Sequence, residues 1–172
     1  FAILKKLFKH YISISYIMNL KDHIRSIPNY PKKGILFRDI TTLIKNEKAF
    51  AATIDLIIER SKKYKIDKIA AIESRGFVFA SAVSYILKKP FILLRKKNKL
   101  PAETYSVDFE LEYGTATIEV HKDSIDKDDS ILIIDDLIAT GGTAEAAAKL
   151  VEISKGKVSA FIFVINLFDL GG

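Results

Sequence analysis

Cysteine is absent from the 172-residue chain, which excludes disulfides, thiolate metal centres and cysteine nucleophiles. A reducing cytosol is compatible with that, and a cytoplasmic location is expected. Histidine occurs only at His10, His23 and His121, without the spacing of a metal site. No apolar run approaches the roughly 18 residues of a membrane helix, so no membrane partner is expected. The P-loop pattern G-x-x-x-x-G-K-[ST] and the dinucleotide fingerprint G-x-G-x-x-G are both missing. So is any recognised nucleic-acid-binding motif, and no nucleic acid is expected as a partner. Internal repeats, low-complexity tracts and a linker dividing residues 18–172 are lacking too.

What is present fits one globular domain. A hydrophobic content of 49% with 28% charged residues is that of a water-soluble protein with a sizeable core. The formal charge of +6 suits an acidic small molecule or a nucleic acid, or simply a lysine-rich solvated surface.

The most informative stretch runs from Ser130 to Thr143, S-I-L-I-I-D-D-L-I-A-T-G-G-T. Ile131 to Ile134 reads as a strand buried on both faces, ending at Asp135 and Asp136. Ala139, Thr140, Gly141, Gly142 and Thr143 then turn into an alanine-rich helix over 144–151. A glycine-rich turn into a helix N-terminus gathers unpaired N–H groups at the positive end of the helix dipole, which suits an anion. Two acids beside a phosphate would repel it, so they are expected to meet hydroxyls or a divalent cation on the same ligand. A phosphorylated ribose meets both demands.

The remaining chain alternates strands and helices. An amphipathic helix is expected over 47–63, capped by Asn46, with strands at 68–72, 91–94 and 158–165 and a helix over 77–88. That alternation predicts an α/β, Rossmann-like domain with a central, largely parallel sheet flanked by helices. Residues 27–34, with two prolines, read as an extended turn region, followed by a short apolar-and-charged segment over 35–40. The opening residues 1–17 lack acids and precede Met18, and are expected to form an N-terminal extension outside the fold of 18–172. A strict alternation over 104–113, broken at Gly114 and resumed over 115–120, predicts a hairpin. With the basic residues before it, the segment of about 95–120 reads as a flexible lid or as a decorative or dimer-forming arm.

Several single residues carry two readings each. Arg75, ahead of Gly76, suits a bidentate phosphate grip or caps a surface turn. Arg95, Lys96, Lys97 and Lys99 suit a polyanion or a solvated face. Glu112 beside Tyr113 suits acid/base work or ordinary exposure, and Phe37 suits stacking on a planar ligand or core packing.

Taken in order, these pieces resemble the type I phosphoribosyltransferases, in particular the branch that acts on adenine. The matching segments are 24–28, Tyr30-Pro31, 34–40, 73–77, 95–101, 111–114 and 135–143, so the resemblance runs from Met18 to the C-terminus. It implies transfer of the 5-phosphoribosyl group from phosphoribosyl pyrophosphate to adenine with Mg²⁺, giving AMP and pyrophosphate. It also implies a hood segment near the N-terminus, the hairpin lid and a homodimer. By the same resemblance Asp135 and Asp136 hold the ribose hydroxyls, directly or through the metal, and Ala139, Thr140, Gly141, Gly142 and Thr143 hold the 5-phosphate. Arg75 with Ser74, aided by Arg95 and Lys99, takes pyrophosphate. Phe37 and Leu167 sandwich the base, the backbone at Leu36 and Arg38 reads its edge, and Glu112 with Tyr113 supplies acid/base chemistry.

Relatives acting on hypoxanthine and guanine carry a second aspartate near position 139 and a Glu-Asp pair upstream, whereas this chain has Ala139 and Asp135-Asp136. Asn166 stands where adenine enzymes often have an acid. The chain ends at Gly171-Gly172, and a terminal segment usual in the family is expected to be truncated. Other purines, such as xanthine, or a non-catalytic module sensing the phosphoribosyl donor, are the alternatives.

Overall fold

The computed structural model describes residues 18–111 and 114–172. The expectation for residues 1–17 lies outside the described residues. Two compact units divide the chain, one up to Arg60 and one from Ser61 onward.

The first unit opens with a 3₁₀ turn, Leu20–His23, and an antiparallel pair, β1 (Arg25–Pro28) and β2 (Leu36–Asp39). The sequence reading left 35–40 unassigned. Its strand exists because the intervening turn is tightly held: Gly34 at φ +91° donates its N–H to Asn29 Oδ1 at 2.9 Å. Asp39, at the strand end, accepts from Arg25 Nε at 3.0 Å and from the Thr41 amide at 2.9 Å. Those bonds hold its carboxyl at about 2. Two helices follow, α1 (Thr41–Ile44) and α2 (Glu47–Ser61). Asn46 Oδ1 accepts the Ala49 amide at 2.9 Å, the N-cap its sequence position suggests.

The second unit is a six-stranded sheet with helices. In chain order it contains β3 (Lys68–Ile72), α3 (Gly76–Leu87), β4 (Phe91–Lys96), β5 (Thr104–Leu111), β6 (Gly114–His121), β7 (Ser130–Ile138), α4 (Gly142–Ile153) and β8 (Lys157–Asn166). A 3₁₀ turn, Phe168–Leu170, ends the described chain. The sheet order is β5-β6-β4-β3-β7-β8. β4, β3, β7 and β8 run parallel, while β5 and β6 form the antiparallel extension expected of the hairpin.

The core follows the pleat. Ala70, Ile72, Ile131 and Ile133 join one cluster with Ala147 and Leu150 of α4. The alternate residues Ile69, Ala71, Leu132 and Ile134 point to the other face and are also fully buried. A strand covered on both faces needs an unbroken apolar run, which Ile131 to Ile134 supplies. Truncating one of these to alanine costs about 2–5 kcal/mol.

One strand is longer than its apolar run suggests. β7 continues to Ile138 because β8 keeps pairing with it, Asp135 against Phe163 and Ile138 against Asn166. The aspartates therefore sit inside a strand rather than beyond it. From β3 the chain crosses to β4 on one side, and β7 adds on the other. The strand order reverses between β3 and β7, and ligands of open α/β sheets bind outside the carboxyl ends at such a point.

Candidate active site

Two loops leave β3 and β7 at that switch point. The first, residues 73–75, contains a cis Glu73–Ser74 peptide and leads into α3. The second, residues 139–141, leads into α4. Gly141 takes φ +91°, where a side chain is strained, and α4 starts without a side-chain cap. The first amides of α4 have no intrahelical acceptor and are available to an anion. Thr140 is exposed, and Ala139, Gly141, Gly142 and Thr143 are half-buried.

Asp135 and Asp136 lie side by side under this loop. Asp136 is 4% exposed, and its amide donates to Asp135 Oδ1 at 2.8 Å. Burial, with the neighbouring Asp136 charge, pushes Asp135 up to about 7. Burial also raises Asp136, against the pull of Arg75. Arg75 Nε reaches Asp136 Oδ2 at 2.7 Å, an ion pair in which the N–H is not aimed at the oxygen. That oxygen is thus buried with charge nearby and no hydrogen bond. Among the described residues no three His, Cys, Asp or Glu gather as a metal cage. The donor set fits Mg²⁺, which keeps several waters and takes one or two carboxylates plus substrate oxygens.

Gly76 is needed for close packing. A Cβ there would lie 2.8 Å from Asp135 Oδ1 and 2.9 Å from Ile134 O. The glycine lets the first turn of α3 close on the end of β7, which brings Arg75 onto the aspartates. Gly142 likewise serves the hairpin, since its Cβ would lie 3.1 Å from Glu110 O of β5.

The basic segment after β4 is anchored. Glu73 accepts from Arg95 Nε and Nη2, both at 3.3 Å, and from the Lys96 amide at 2.9 Å. Buried Glu119 accepts the Asn98 amide at 3.0 Å. Neither glutamate was singled out from the sequence. The available signal was an acid ending one buried strand while a basic run ends the next. Ser74 and Lys99 are exposed. Leu167 is half-buried and its amide donates to Ile138 O at 3.0 Å.

In the first unit, Leu36 is 47% exposed, and Phe37 and Arg38 are half-buried. Phe37 meets Tyr30 edge-to-face, with centroids 5.1 Å apart. Glu112 and Tyr113 lie outside the described residues. No helix among the described residues is long and apolar enough to cross a membrane.

Residues 39–166 match the family described as phosphoribosyl transferase domain. An adenine phosphoribosyltransferase of Pelagibacter ubique is 85% identical over 155 residues, 90% of this chain and 89% of that one. The crystal structure of adenine phosphoribosyltransferase from Thermoanaerobacter pseudethanolicus superposes with a TM-score of 0.87 at 48% identity, covering 89% of each chain. The Saccharomyces cerevisiae enzyme, solved with an imino-altritol bisphosphate and adenine, gives a TM-score of 0.85 at 36% identity, over 93% of this chain and 92% of that one. The chain belongs to the phosphoribosyl transferase family. Within it, its place is among the adenine phosphoribosyltransferases.

Proposed function

We propose that the chain transfers the 5-phosphoribosyl group of phosphoribosyl pyrophosphate to adenine, releasing AMP and pyrophosphate in purine salvage. The observation that carries this is the joining of an uncapped helix start to a buried aspartate pair on one β7–α4 unit, with Arg75 2.7 Å from Asp136. Its relatives' names point the same way.

The amides and hydroxyls of residues 139–143 hold the 5-phosphate. Asp135 and Asp136 accept the ribose hydroxyls or hold Mg²⁺ through water and substrate. The chemistry that Mg²⁺ would supply when held there is neutralisation of the negative charge that develops on the pyrophosphate oxygens. Ser74 and Arg75 bind that same leaving group, with Arg95 and Lys99 adding positive charge. As C1–O breaks, N9 of adenine bonds to C1, and its proton passes to Glu112, with Tyr113 beside it. A hairpin lid over the site keeps out water, which would otherwise hydrolyse the donor. Phe37 and Leu167 stack on the base, and the backbone at Leu36 and Arg38 reads its edge.

A homodimer belongs to this reading. Val78, Tyr85 and Ile86 of α3 and Leu93 of β4 are exposed apolar residues, Tyr85 at 74%. A second copy is the partner suited to such a face. A cytoplasmic location follows from the donor, a polyanion that does not cross membranes unaided. An absorbance assay of adenine, hypoxanthine, guanine and xanthine with phosphoribosyl pyrophosphate and Mg²⁺ tests the assignment. Turnover of adenine alone is expected; tight donor binding without turnover of any base would overturn it in favour of a sensor.

A further inference from the structure

The first residue of the loop after β3 is acidic, beside a site proposed to take a polyanion. Glu73 is 15% exposed at its side chain and faces Arg95, 29% exposed. An unpaired carboxylate there would repel pyrophosphate, so its presence calls for a reason. Its geometry supplies one. Both Glu73 oxygens engage the Nε–Nη2 side of the Arg95 guanidinium, at 3.3 Å each, and Oε2 also accepts the Lys96 amide at 2.9 Å. The Glu73 amide donates to Leu94 O at 2.9 Å, which locks the end of β3 to the end of β4. Arg95 Nη1 in turn donates to Lys99 O at 3.0 Å and so closes the basic loop on itself. Burial alone would raise the Glu73 carboxyl; the bonds from Arg95 and Lys96 outweigh it and keep it below its ordinary value.

A guanidinium has five N–H donors in a fixed plane. Three are engaged by Glu73 and Lys99, which leaves one on Nη1 and one on Nη2. We infer that Glu73 is a positioning residue: it fixes the plane of Arg95 so that those two remaining N–H groups, and Lys99 beside them, receive the pyrophosphate end of the donor. The carboxylate stays on the arginine when the donor binds. This rests on Arg95 being a pyrophosphate ligand, as proposed above.

The sign of one substitution separates positioning from mere proximity. Glu73→Gln removes a negative charge near an anion site. If Glu73 were only a repulsive neighbour, KM for phosphoribosyl pyrophosphate would fall. If it positions Arg95, that KM rises about tenfold, because the ion pair is lost and one of the two acceptors facing the guanidinium becomes an amide donor. KM for adenine and saturated kcat stay within about twofold of the parent. Glu73→Asp, which keeps the charge, recovers part of the loss. Combined with Arg95→Ala, Glu73→Gln gives no further rise in that KM and lowers it where the carboxylate left unpaired by Arg95→Ala repels the donor, since its positioning effect acts through the Arg95 side chain. An unchanged or lowered KM in Glu73→Gln, or additive losses in the double variant, overturns the inference. If Arg95→Ala alone leaves that KM unchanged, the ligand role of Arg95 fails, and the inference falls with it by a separate readout. Should Glu73→Gln not fold, the Arg95 Nε–H resonance of the unaltered protein, assigned through Arg95→Lys, decides. Slow exchange that persists on adding inorganic pyrophosphate supports the inference, and loss of protection on addition overturns it.

Discussion

Gly76 and Asp135 are in van der Waals contact across the switch point, so close that a methyl group on Gly76 would lie 2.8 Å from Asp135 Oδ1. The contact joins the start of α3 to β7 and fixes where Arg75 meets the aspartate pair. Ile134 O, at 2.9 Å from the same point, is backbone and cannot swing away. Gly76→Ala is therefore expected to push α3 outward, at a cost of about 1–3 kcal/mol. For a chain of this size that lowers Tm by roughly 2–4 °C per kcal/mol. KM for phosphoribosyl pyrophosphate should rise with it. A thermal melt and a KM both matching the parent would show that the close approach is dispensable.

The aspartate pair is expected to make stability and donor binding depend on pH in opposite directions. Asp135 binds its proton up to about 7 in the folded protein, whereas an unfolded carboxyl releases it near 3.8. The group's contribution to stability is fully present below the unfolded value and is lost as pH rises through 7. Each unit of difference corresponds to about 1.4 kcal/mol. The Tm of the ligand-free protein should fall between pH 5 and pH 8, and Asp135→Asn should flatten that slope. Donor binding runs the other way, because the ionised carboxylate is the better acceptor for ribose hydroxyls. KM for the donor is expected to improve as pH rises through 7. Equal Tm slopes in parent and Asp135→Asn would contradict the assignment.

Gly141 shapes the turn between β7 and α4, the proposed phosphate cradle, through its φ of +91°. A side chain there costs about 1–2 kcal/mol or forces the loop to rearrange. Gly141→Ala should raise KM for the donor while leaving KM for adenine near the parent value. Steady-state kinetics with each substrate varied in turn would check this, and equal rises in both would point to general unfolding.

The exposed apolar stripe on α3 gives the homodimer expectation a handle. Tyr85 and Ile86 are 74% and 46% exposed, and Leu93 on the adjacent strand is 38% exposed. Light scattering on the parent should give twice the chain mass, and Ile86→Lys with Leu93→Glu should shift it to monomer. A parent that is monomeric at micromolar concentration would remove the dimer from the reading.

How far the sequence reached is decided by the range over which each feature is specified. β7 and α4 were legible because an apolar run, a glycine turn and an alanine-rich helix are local signals. The helix over Glu47–Ser61 and the hairpin of β5 and β6 followed from periodicity alone. The β1–β2 pair was not read, because its strands hold four residues each and its turn depends on Asn29 reaching Gly34. The extension of β7 through the aspartates was hidden as well, since it is imposed by β8 some 28 residues later. In the site, loop residues were recognisable as a set, but their mutual pairing was not. Arg75 with Asp136 and Glu73 with Arg95 are long-range contacts fixed by strand order.

The hairpin carries the last test, because Glu112 is the proposed proton acceptor. β5 leans on α4 where Glu110 O approaches Gly142, so the hairpin is tied to the helix proposed to take the phosphate. In the proposed reading a carboxylate on that hairpin acts on the base, whereas the donor is held by residues at the ends of β3, β4 and β7 and in the loops that follow them. Glu112→Gln preserves shape and hydrogen bonding but cannot accept the N9 proton. Its kcat should fall by about 10² to 10⁴, while KM for phosphoribosyl pyrophosphate changes less than about twofold. The loss should shrink for a base whose N9 proton is already more acidic than that of adenine. Parallel losses in kcat and donor affinity would instead assign Glu112 to donor binding and leave the proton transfer to another group.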